Sequence, residues 1–300
     1  MGRTASSDHG STWATAGRLT VALAPLLWLL SAPALAHTQP RPIEQWGPFL
    51  PETVPCLQLM TRATHVCFDK VLAAESRCRD QEVRGETCDR AAVDDEIDEA
   101  TSAMRRELTS SCLDGQLTEL GYFGFFDAEA DLFNACLIQA KAAVEATYAP
   151  ALAGPPSASE ADCMAASADY GRKVMTYILQ RETPVQERIG TRPFEDDEKK
   201  QFVLHVEMEL SATRQQQWIP GLTAACPDFA AVYGRSAESF LRTLKQRADC
   251  VLSKTYVNTS FNCLGQVCGN GIKEAAEACD DGNRDDTDTC KSNCTANTTP

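Results

Sequence analysis

Fourteen cysteines constrain this 300-residue chain more than any other feature, because every one of them follows residue 36. An even number of thiols in an exported chain reads as a set of disulfides. Such bridges persist only in an oxidising compartment. The first 36 residues carry the address for one. Arg3 and Arg18 are positive, Leu19–Leu30 is an apolar run, and Ala34-Leu35-Ala36 offers small residues for cleavage. The run is short for a bilayer span, and no other stretch is long and apolar enough to make one. The expectation is a soluble secreted, periplasmic or cell-surface protein with residues 1–36 as signal peptide.

Losing Arg3, Arg18 and Asp8 with the signal leaves 26 basic against 41 acidic residues, a balance of −15. Nucleic acid and anionic membrane both require basic patches, so neither is an expected partner. The partner class that remains is another protein. The 43% of hydrophobic residues is ordinary for a packed core, although aromatics reach only 7%.

Residues 37–55 contain Pro40, Pro42, Pro48, Pro51 and Pro55 and read as an extended tether. From Cys56 the period is helical, with Leu57, Met60, Thr64, Cys67, Val71 and Ala74 on one face and a break at Arg84-Gly85. A second helix is expected from about Asp89 to Ser111, then a turn at Asp114-Gly115, then a third helix from Asp127 to Tyr148. Gly154-Pro155-Pro156 marks a linker over 151–160, in which Ser157 and Glu160 form a capping box. Beyond it, the pattern predicts a helix over Cys163–Gln180, a loop carrying Pro184, Gly190 and Pro193, and a long helix opened by Asp196-Asp197-Glu198. A turn at Pro220-Gly221 and a last helix from about Ser236 to Tyr256 complete the series.

The expected fold class is therefore all-α, with two tandem disulfide-stapled helical units over 56–150 and 161–263 and a small irregular module over 268–294, ending in a tail at 295–300. The spacings point to duplication. Cys112 to Cys136 and Cys226 to Cys250 are both 24 residues apart, and Phe126 and Phe240 each precede the later cysteine by ten. Acidic triplets, Asp94-Asp95-Glu96 and Asp196-Asp197-Glu198, fall in the middle helix of each unit. The cysteines divide evenly: Cys56, Cys67, Cys78, Cys88, Cys112 and Cys136 in the first unit, Cys163, Cys226, Cys250 and Cys263 in the second, and Cys268, Cys279, Cys290 and Cys294 in the tail. Each group can close on itself. Cys56 is expected to bridge Cys112 or Cys136, with the equivalent pairing in the second unit.

The tail reads Cys268-Gly-Asn-Gly, then Glu274 and Glu277 ahead of Cys279-Asp-Asp-Gly-Asn, then Asp286-Thr-Asp288-Thr-Cys290 and Cys294. With almost no apolar side chains, it needs bridges or a metal to fold. These residues resemble the myxobacterial cysteine-rich disulfide repeat, a family found on secreted or surface proteins, usually in tandem arrays. Here one copy occurs, with Ala275-Ala276 in place of the usual Pro-Gly and Thr289 where Gly is common. The resemblance covers under a tenth of the chain and implies nothing about residues 37–262.

Asp280, Asp281, Asn283, Asp285, Asp286 and Asp288 crowd one loop of that module. Oxygen ligands at this density suit Ca²⁺, which takes six to eight of them. The alternative for these residues is a solvated acidic turn, and for the four cysteines a zinc site, which an oxidising compartment disfavours.

No motif of a hydrolase, phosphate-binding loop or zinc enzyme occurs, and the expected activity is non-enzymatic. One competing reading uses the mature N-terminus: His37, exposed by cleavage, would chelate copper with His65 or His205 as the second histidine.

Overall fold

The structure is a computed structural model, in which residues 45–148, 154–256, 278–279, 290 and 295–296 are described. These residues are helical almost throughout, and their only β pairing is an isolated bridge between Cys290 and Ala296. The all-α fold with cysteine staples is thus what the chain forms.

Helix α1, Val54–Val83, buries Leu57, Met60, Phe68, Val71 and Leu72 along one stripe, and ends at Gly85, whose φ of 75° only glycine adopts without strain. Helix α2, Arg90–Ser111, starts where Asp89 accepts a hydrogen bond from the Ala92 N–H, and packs Val93, Ile97, Ala100, Met104 and Leu108 inward.

The turn expected at Asp114-Gly115 is instead a short helix, α3, Asp114–Glu119. Its entry is closed by the Gln116 side chain, which accepts from the Leu113 N–H at 2.9 Å, and Leu117 anchors it in the core. Asp114 stands in the first turn, where the helix dipole favours an anion.

The third predicted helix begins two residues early. It runs as α4, Phe125–Phe133, a π turn over Asn134–Ile138, and α5, Gln139–Thr147.

Ser157 caps α6, Ala158–Thr191, through the expected box with Glu160. The loop expected around Pro184 and Gly190 does not form, because α6 passes through both. Proline inside a helix forfeits a hydrogen bond and costs about 3 kcal/mol. Burial of Ile178, Leu179 and Ile189 on either side offsets that loss.

Helix α7, Asp196–Thr213, opens with its acidic triplet, as predicted. The turn expected at Pro220-Gly221 is helical too: a π turn over Arg214–Trp218 leads directly into α8, Ile219–Ala225, which carries Pro220 in its first turn. A five-residue helix, α9, Phe229–Tyr233, precedes α10, Ala237–Thr255, which Ser236 caps.

The end of the proline-rich segment is not a free tether. The Phe49 N–H donates to the Gly190 carbonyl at 2.8 Å, Lys199 Nζ donates to the Gly47 carbonyl at 3.2 Å, and the Trp46 ring is buried. The Phe49 N–H thereby satisfies one of the last carbonyls of α6, which have no partner within the helix.

Bridges join Cys56 to Cys112, Cys67 to Cys136 and Cys78 to Cys88 in the first half, Cys163 to Cys226 in the second, and Cys279 to Cys290 in the tail. No cysteine among the described residues is free. These bridges stay within their expected groups, but the apolar core does not divide. One buried cluster runs from Cys56 in α1 to Tyr256 after α10, with α1 and α5 packed against α6 and α10.

Candidate functional site

Two places in the described residues carry more than core packing. One is buried and charged, the other exposed and aromatic.

The buried place lies where α6, α7 and α10 meet. Lys245 Nζ donates to Glu182 Oε1 at 2.9 Å, Glu207 Oε1 at 2.9 Å and Asp249 Oδ1 at 2.8 Å. Lys245 and Asp249 share a face of α10 at a spacing of four, while Glu182 and Glu207 reach in from α6 and α7. Glu182 is 1% exposed. Burial, reinforced by the charge of Asp249, pushes its carboxyl up to about 9, so it holds a proton at neutral pH. Burial also raises Asp249, with which Glu182 shares a hydrogen bond. Lys245 stays charged because the acidic groups around it, Asp249 first among them, outweigh the cost of burying it.

The three carboxylate groups could hold a metal by their mutual distances. The ammonium of Lys245, within 2.9 Å of all three, already occupies that position. The cluster is an internal electrostatic staple for three helices. Sequence reasoning passed over it; its one local signal was Lys245 and Asp249 at an i, i+4 spacing.

The exposed place is the corner between α3 and α4. Phe123 is 79% exposed, Phe126 84% and Leu113 71%. These side chains are held out by a built frame. Between them Tyr122 is buried, and its hydroxyl donates to the Lys254 and Thr255 carbonyls at the end of α10. The Phe123 N–H donates to Asp127 Oδ2 at 2.9 Å and the Phe125 N–H to Asp114 Oδ1 at 3.1 Å. Gly121 and Gly124, with φ of 103° and 121°, take backbone angles closed to other residues. Cys112, joined to Cys56, pins the start of α3. Glu119 at its other end accepts from the Leu50 N–H and the Thr53 hydroxyl.

The sequence-predicted sites fall as follows. Asp280, Asp281, Asn283, Asp285, Asp286 and Asp288 lie outside the described residues, as do His37, Cys263, Cys268 and Cys294. Cys250 is bridged. His65 is largely buried on α1, its Nε2 without a hydrogen-bond partner, and burial pulls its imidazole down to about 4. His205 stands exposed on α7. Phe126 and Phe240, which share a register in the two halves, have opposite surroundings: Phe240 is core, edge-on to Phe229 and tilted against Tyr233, and Phe126 is on the surface.

No protein-family model, no curated protein and no solved structure matches the chain.

Proposed function

We propose that this is an exported, disulfide-stapled, non-enzymatic protein of the cell envelope or extracellular space that acts by contact with another protein. The observation that carries the proposal is the α3–α4 corner, where two phenylalanines and a leucine are held in water by a hydrogen-bonded frame. A contact protein is selected for such surface, whereas a catalyst needs convergent polar groups in a cleft. The polar cluster that α6, α7 and α10 do assemble is occupied by its own lysine. Among the described residues no helix is long and apolar enough to cross a membrane, and the bridges support an oxidising compartment.

The two halves descend from one helical unit in this reading. Cys56–Cys112 and Cys163–Cys226 support it, since each ties the N-terminal part of a long helix to the residue that closes the following helical segment. The Cys67–Cys136 staple belongs to the first half alone, because Val174 stands in the second half where Cys67 stands in the first.

The test is expression of the full chain in an exporting host, followed by fractionation, determination of the mature N-terminus and elemental analysis. The proposal expects a chain beginning at His37 outside the cytoplasm and free of stoichiometric transition metal. Calcium bound in proportion would place the ion in the Asp280–Asp288 loop and leave the contact reading intact. An unprocessed cytoplasmic chain, or one copper per molecule, would sink it.

A further inference from the structure

The contact reading leaves open what the α3–α4 corner touches, and the charge around it answers part of that. From Glu107 to Ala140 there is no lysine or arginine, while Glu107, Asp114, Glu119, Asp127, Glu129 and Asp131 all lie in this stretch. Two of the carboxylates are fixed at the corner itself. Asp114 and Asp127 accept the backbone N–H groups that frame Phe125 and Phe123, so their charge cannot swing away from the aromatic side chains. Among the described residues, Arg62 approaches Glu107 from α1, Arg105 approaches Glu129 from α2 and Lys254 approaches Asp131 from α10. The frame is preformed, with Tyr122 locked onto α10 and Leu113 beside the Cys56–Cys112 bridge, so little ordering entropy is lost when the corner is covered.

Resting on the contact reading, we propose that Leu113, Phe123 and Phe126 form an anchor for a protein partner that presents an apolar cleft edged by lysine or arginine. Rigid aromatic anchors inside a charged rim are the common make-up of an interface hot spot, with the rim setting association rate and partner choice. Charge decides against the other two occupants. A second copy meeting this face through a two-fold axis would bring Asp114 and Asp127 against their own images. An anionic lipid surface would repel them in the same way.

The test is selection of a random displayed peptide library on the immobilised full-length, oxidised protein, with counter-selection on the F123S/F126S variant. Peptides that survive should combine large apolar residues with lysine or arginine. Their binding should weaken on raising salt and fall at least about tenfold on the double variant. The inference fails if no peptide discriminates wild type from variant, or if the discriminating peptides are acidic or indifferent to salt. It also fails if sedimentation shows a wild-type dimer that F123S/F126S dissolves, or if wild type but not variant sediments with phosphatidylglycerol vesicles. Because both phenylalanines are on the surface, the variant should keep the wild-type melting temperature. A second variant, F126K, keeps the inference testable if the serines disturb the corner, and should repel the selected peptides. Export and bridge formation do not depend on these side chains, so failure here is separable from failure of the contact reading.

Discussion

Lys245 brings one positive charge into a space shared by Glu182, Glu207 and Asp249, and the balance there governs what substitutions do. Replacing Lys245 with methionine keeps the stem but strands the carboxylates. Breaking such a buried set by removing one partner costs about 3–5 kcal/mol, which urea unfolding of K245M at neutral pH should read directly. Glu182→Gln is the contrasting case. The carboxyl is protonated in the fold, so the amide is close to isosteric and E182Q should match wild type below about pH 4.5. Its pKa lies above the unfolded value, so the folded state holds a proton that the unfolded state has released. That contribution to stability is complete below about pH 4.5 and is lost as pH rises toward about 9. The difference in stability between E182Q and wild type should therefore move in favour of the variant across that window. A pH-independent difference would show that Glu182 is ionised in the fold. At Gly190 the prediction is steric: an added Cβ would stand 3.0 Å from the Phe49 ring and 3.2 Å from Leu57. Gly190→Ala should cost about 1–3 kcal/mol through overpacking, and should expose Trp46, whose fluorescence reports it.

At the scale of elements, periodicity was readable wherever a helix has one buried stripe. The ends of α1, α2, α7 and α10 follow from Asp89, Gly85, the Asp196 triplet and Ser236, each acting through a local cap or break. Proline and glycine misled where tertiary packing outweighed them. Pro184 lies inside α6 because the residues flanking it are buried, and Pro220 lies inside a continuous helical path because a π turn resets the ladder before it. The proline-rich segment was unreadable for the opposite reason, since its anchors on Gly190 and Lys199 are more than 140 residues away. The pairing of Cys56 with Cys112 was one of two options at the sequence level, and helix α2 selects it by returning the chain to the first turn of α1. Of the candidate site, the sequence singled out Phe126 only through its register with Phe240, and that register hides its exposure, because Phe240 is core. Removing the Cys67–Cys136 bridge as C67A/C136A frees a closed loop of 69 residues. The expected loss is about 2–5 kcal/mol, visible as a lower melting temperature; an unchanged melting temperature would mean that packing of α1 on α5 alone fixes that contact.

The whole molecule combines covalent closure within each group of cysteines with one apolar core spanning both helical halves. The bridges limit what each half can unfold into, and the shared core makes the halves depend on one another, so thermal unfolding should be a single transition when the disulfides are intact. The core is apolar and the chain acidic, and the α3–α4 corner holds Phe123 and Phe126 on the surface. All of this depends on the sulfur connectivity. Digestion of the unreduced protein followed by mass spectrometry of the linked peptides tests it most directly. The account predicts Cys56–Cys112, Cys67–Cys136, Cys78–Cys88, Cys163–Cys226 and Cys279–Cys290 as the linked pairs. Free thiols at these positions, or a bridge from one helical half to the other, would contradict it.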